Sequence, residues 1–138
     1  MPGFTTDDSK AMLLDYLTGR AVAYSAARDS FLGLAVAIPD GPITLATLAE
    51  VTTAGYARMQ VTWSAPDLTQ SPVSIVNSAS VQFGPVTADM ADAATYAFLT
   101  EAESGTTGTV LYLWQLVEPV LAKANKPIFV GAGALTIQ

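Results

Sequence analysis

The groups able to move protons in this chain are few. Its 138 residues hold 12 Asp and Glu and 6 Lys and Arg, with neither His nor Cys. Imidazole bases, thiolate nucleophiles, disulfides and zinc sites of the usual ligands are excluded at once. Acid–base work would fall to paired carboxylates, and three pairs stand close in sequence: Asp7/Asp8, Asp89/Asp92 and Glu101/Glu103. A glycosidase needs two carboxylates about 5–10 Å apart across a cleft, one with its pKa raised by burial. Asp7 and Asp8 instead open a helix, where the dipole favours anions. Asp89 and Asp92 lie in a polar turn, and Glu101 and Glu103 lead into the Gly-containing tip Glu103–Gly108. All three pairs read as solvated, so no catalytic residue is assigned.

Other chemistries fail on spacing. The D-x-D-x-D-G pattern of a calcium loop is absent, so no metal site is assigned. A Ser nucleophile would need Lys10, Lys123 or Lys126 as its base, and neither G-x-S-x-G nor S-x-x-K occurs. Gly131-Ala132-Gly133-Ala134 follows a strand but leads into another strand rather than a helix N-terminus. It reads as a bend, not a phosphate loop, and no cofactor is assigned. Tyr56, Trp63, Tyr96, Tyr112 and Trp114 could stack on sugars, yet they fall on different alternating strands and read as core. Arg28 and Arg58 are candidates for pairing with carboxylates of a neighbouring protomer. As isolated surface charges they would contribute under about 1 kcal/mol each.

The elements that would position these residues are mainly β. One helix is predicted at about 7–18. Thr5 or Thr6 caps it, Phe4 staples its start, Leu13, Leu14 and Leu17 form an apolar stripe, and Gly19 with Arg20 ends it. From about 22 to 138 the period changes to short Val-, Ile-, Thr- and aromatic-rich segments broken by Gly, Pro, Asp, Asn and Ser. Strands are predicted at Phe31–Ile38, Ala57–Trp63, Val73–Ile75, Ser80–Phe83, Thr95–Thr100, Val110–Leu116, Ile128–Val130 and Ala134–Ile137. Short helical turns are predicted at Thr44–Val51 and Pro119–Ala124. The whole reads as a single domain over 1–138, an antiparallel β-sandwich of jelly-roll type with one N-terminal helix.

Composition narrows the partners. Charged residues are 13% of the chain, against about 25% in average domains. Ser and Thr number 25, so hydroxyls dominate the polar surface. A net charge of −6 argues against nucleic acid and anionic membranes, both of which are held through Lys and Arg. The start of the chain has no basic and then apolar run, so no secretory signal is expected. The most apolar stretch, Phe31–Ile38, is far shorter than the roughly 20 residues a spanning helix needs. A surface this poor in charge favours association.

Several segments carry a resemblance. Gly55-Tyr56-Ala57-Arg58-Met59-Gln60-Val61-Thr62-Trp63 resembles the "GYAR…VTW" segment of a family of small bacteriophage virion proteins, variously labelled head decoration, minor tail or tail fibre proteins. The Phe31–Ile38 strand, Ser78–Pro85, Tyr96–Thr100 and the closing Ala132-Gly133-Ala134-Leu135-Thr136-Ile137 are similar to that family in the same order. The frequent His of the family's Tyr96 strand is missing here. The resemblance implies a turn at Gly55 before an edge strand, a fixed charge at Arg58 and a β-sandwich with no chemistry. It implies a non-enzymatic virion protein, and small size, one domain and low charge put first a decoration or cement protein on the outer capsid surface. The alternative is a minor tail or tail-fibre protein touching host surface or glycan. Expected partners are the major capsid protein or other virion subunits, with homo-oligomers, and Met1–Thr6 as an arm to a neighbour.

Overall fold

The three longest strands form the centre of the principal sheet. In a computed structural model describing residues 3–18 and 29–138, β2 (Ser30–Ala37), β7 (Ala94–Thr100) and β8 (Val110–Val120) pair antiparallel, with β7 in the middle. β1 (Gly3–Thr5) adds to the free side of β8, and β3 (Ala49–Glu50) and β4 (Met59–Val61) both add to β2. β5 (Ile75–Val76) pairs with β10 (Thr136–Ile137), and β6 (Val81–Phe83) with β9 (Ile128–Val130). The molecule is therefore mainly β with antiparallel sheets. Its second layer is two short ribbons rather than one extended facing sheet.

Both faces of the principal sheet are buried, which explains runs that are nearly continuous in apolar residues. On one face Leu32, Leu34, Ala97, Leu99, Tyr112 and Trp114 meet Val81, Phe83, Ile128, Val130 and Leu135 of the ribbons and their connections. On the other, Phe98, Val110 and Leu113 meet Leu45 and Leu48, with Ile38 and Ile43 alongside. Gly33 sits opposite Phe98 in the register. A Cβ at Gly33 would lie 2.2 Å from that ring, so the strand needs a glycine there.

α1 covers Asp7–Leu17 and begins where Lys10 N–H donates to Thr6 C=O (3.0 Å). The Thr6 hydroxyl donates to Val110 C=O at the start of β8. The stripe expected to pack does not: Leu13, Leu14 and Leu17 are 57%, 60% and 68% exposed. Of the expected Met1–Thr6 arm, Gly3–Thr5 pairs with Tyr112–Trp114 of the same chain, and Met1 and Pro2 lie outside the described residues. The predicted Ala57–Trp63 strand contracts to β4 plus a bridge between Trp63 and Asn77. Pro119–Ala124 is not helical, since β8 runs on to Val120. Within Thr44–Val51 one hydrogen-bonded turn, Leu48 N–H to Thr44 C=O, leads into β3. Gly19, Arg20 and Arg28 lie outside the described residues. No helix among the described residues is long and apolar enough to cross a membrane.

Candidate functional site

Among the described side chains, which do not include that of Asp8, the carboxylate pairs build no acid–base site. Asp7 is fully exposed and reaches only Lys10, at 3.5 Å. Asp89 accepts from Ala124 N–H (2.8 Å) and Lys123 Nζ (3.2 Å), which hold its pKa below the usual range. That is the wrong direction for a general acid. Asp92, Glu101 and Glu103 are exposed. Asp67 is likewise held low, by the hydroxyl and N–H of Thr69. Among the described residues no group of three or more acidic, His or Cys side chains is placed to hold a metal.

The most organised polar cluster is one that sequence spacing did not assemble. Gly55, at φ 87°, turns the chain ahead of β4, and a Cβ there would meet Pro85 C=O at 2.6 Å. Tyr56 and Arg58 then reach back to Glu50 at the end of β3. Arg58 is buried, not a surface charge, and it pairs within its own chain. Its Nε and Nη2 donate to the two Glu50 oxygens at 2.9 and 2.6 Å. Nη1 donates to Ala102 C=O (2.9 Å), Nη2 also to Gly105 C=O (2.7 Å), and the guanidinium lies 5.4 Å from the Phe98 centroid. Tyr56 Oη donates to Glu50 (2.9 Å) and accepts from Leu34 N–H (2.7 Å). Nearly every polar atom is thus engaged inside the chain. The cluster is a clamp that ties β3, β4 and the Glu101–Gly108 tip to the sheet.

Tyr56 gives the clamp a pH signature. Burial first, then the charge of Glu50, pushes its phenol well above the ordinary value of 10.0. A folded pKa above the unfolded one means stability is complete below about pH 10 and falls as pH rises beyond it, by at most about 1.4 kcal/mol per unit. Tyr56→Phe is expected to remove that alkaline slope while costing about 1–2 kcal/mol at neutral pH through its lost hydrogen bonds. Urea denaturation from pH 8 to 11 measures both. Parallel alkaline decline in the two proteins would assign the slope to another group.

Among the described residues Tyr56, Trp63, Tyr96, Tyr112 and Trp114 form no exposed platform. Trp114 is fully buried, donates Nε1–H to Thr136 C=O (2.9 Å) and is flanked by Tyr112 and Trp63, at 4.8 and 6.3 Å between centroids. Trp63 is half-buried, with its Nε1–H on Ser30 Oγ (3.0 Å), and Tyr96 is half-buried beside the second core face. Gly131–Ala134 is a turn, closed by Ala134 N–H on Gly131 C=O (3.1 Å) with Gly133 at φ 76°.

What the surface does offer is apolar. Beyond Gln115, β8 leaves the register of β7 until Val120, so Leu116–Pro119 has no partner there. β1 pairs only with Tyr112–Trp114. Val117 and Phe129 are 80% and 62% exposed, and Leu121 is 51% exposed. A groove of about 540 Å³ runs along this segment, lined by Leu116, Val117, Val120, Phe129, Gly131 and Gly133 among others.

Two comparisons bear on the chain. No curated protein matches it. The model of the family Gp80, described as Podophage GP4 fiber I protein gp80, matches residues 5–138.

Proposed function

We propose, because the chain belongs to the podophage GP4 fiber I protein gp80 family, that it is a non-enzymatic subunit of the virion's fibre apparatus. The match over residues 5–138 carries this reading. The family is one of phage structural proteins, and its fibre description favours the tail over the capsid-decoration role that low charge and resemblance first put forward. The clamp, which commits the best-organised polar groups to rigidity, supports a structural role. We read the two-layer arrangement as a small β-sandwich repeated in the particle. Its partners are copies of itself and neighbouring virion subunits, with no nucleic acid or membrane among them, in keeping with the charge of −6. Immunogold labelling of intact particles, with mass spectrometry of purified virions, tests this. Gold on the tail fibres is the expected result. Gold over the capsid would restore the decoration reading, and absence from virions would defeat both.

A further inference from the structure

We infer that the exposed leucine stripe of α1 in one copy docks in the β8–β9 groove of the next, joining copies head to tail. The inference rests on the virion reading above and names its contact. Lys10, Leu13, Leu14 and Leu17 stand at i, i+3, i+4 and i+7 and so share one face of α1. That face presents three exposed leucines with a lysine at its N-terminal end. The groove presents the complement: exposed Val117 and Phe129, with exposed Glu118 among the residues that line it. Lys10 holds Asp7 only loosely, at 3.5 Å, and keeps donors for a second carboxylate.

Placement makes the partner another copy rather than the same chain. α1 starts against Val110, the first residue of β8, through the Thr6 hydroxyl. The groove surrounds the other end of that strand, from Leu116 to Val120. Leu14, Leu17, Val117 and Phe129 are all exposed in the same fold, so within one chain neither patch covers the other. Such a contact, head to tail and not returned within the same pair, is heterologous, and repeating it yields a ring or an open filament instead of a closed two-fold dimer.

The test uses the full chain and its mass in solution as concentration rises, by sedimentation or light scattering. The wild type is expected to grow past two copies. Leu14→Ser/Leu17→Ser and Val117→Ser/Phe129→Ser, each at exposed positions, are each expected to weaken association at least tenfold. Mixed together, the two variants should form a complex of two copies that grows no further, because only one helix–groove pair is intact. The charged edge gives a second test at solvated sites. Lys10→Glu should weaken association several-fold, and Lys10→Glu/Glu118→Lys should restore it. A wild type that stays monomeric, a variant that associates like wild type, or a mixture that stays monomeric would each overturn the inference. If the chain is found in virions yet fails these tests, only the inference falls. If it is absent from virions, the reading beneath it falls.

Discussion

Arg58→Ala is expected to lower stability by about 3–5 kcal/mol, the range for breaking a buried ion pair by removing one partner. For a chain of this length that corresponds to a fall in Tm of roughly 10–20 °C. The Arg58 side chain is 3% exposed and that of Glu50 only 22%, so the orphaned carboxylate is poorly rehydrated and keeps only the Tyr56 hydroxyl. Two carbonyls, of Ala102 and Gly105, lose their charged donor, and Phe98 loses the cation over its ring. Arg58→Lys should recover only part of the loss, because an ammonium cannot span both Glu50 oxygens and both carbonyls. Chemical denaturation measures these values. In a double-mutant cycle, Arg58→Ala with Glu50→Ala should cost less than the two single losses added together, since neither charge is then stranded. A loss under about 1 kcal/mol for Arg58→Ala would mean the pair behaves as a solvated one.

The same clamp shows where the sequence is legible and where it is not. β2, β7 and β8 are readable because their apolar runs outlast any competing pattern, and burial on two faces demands such runs. β1 and β3 are not readable. Gly3-Phe4-Thr5 and Ala49-Glu50 have no strand pattern of their own and exist through the partners that pair with them. Pro119 opens the predicted helical turn, yet it falls inside β8 where β7 has no partner, so its missing N–H costs no ladder bond. Arg58 stood out as a lone charge, but its partner is eight residues away across a turn. No helical or strand periodicity links positions 50 and 58. The leucine stripe of α1 was visible from its spacing. That it remains exposed follows only from what the fold places beside it.

Asn77→Asp is expected to be about as damaging at neutral pH, and to show its cause through pH. Asn77 is 1% exposed, and it holds three segments together. Its Nδ2 donates to Ala79 C=O and Gly131 C=O, both at 2.9 Å, while its Oδ1 accepts from Leu135 N–H at 2.9 Å. Its backbone also receives Gly133 N–H at 2.9 Å. Aspartate keeps the shape and the Leu135 bond but turns an oxygen on two carbonyls. An uncompensated charge in such a place costs about 3–5 kcal/mol. Burial raises the folded pKa of the new carboxyl above its unfolded value of about 3.9, so the extra loss is absent below that pH. It then grows as pH rises, by at most about 1.4 kcal/mol per unit, until the folded carboxyl ionises. The neutral acid can donate to only one of the two carbonyls, so a residual loss of about 1–2 kcal/mol persists even in acid. Urea denaturation of wild type and variant from pH 3.5 to 8 should give a difference that widens upward. A difference constant across that range would show that packing, not charge, is what Asn77 supplies. The turn that Asn77 pins carries Gly131 and Gly133, one wall of the β8–β9 groove. The variant should therefore self-associate more weakly as its pH-dependent loss develops.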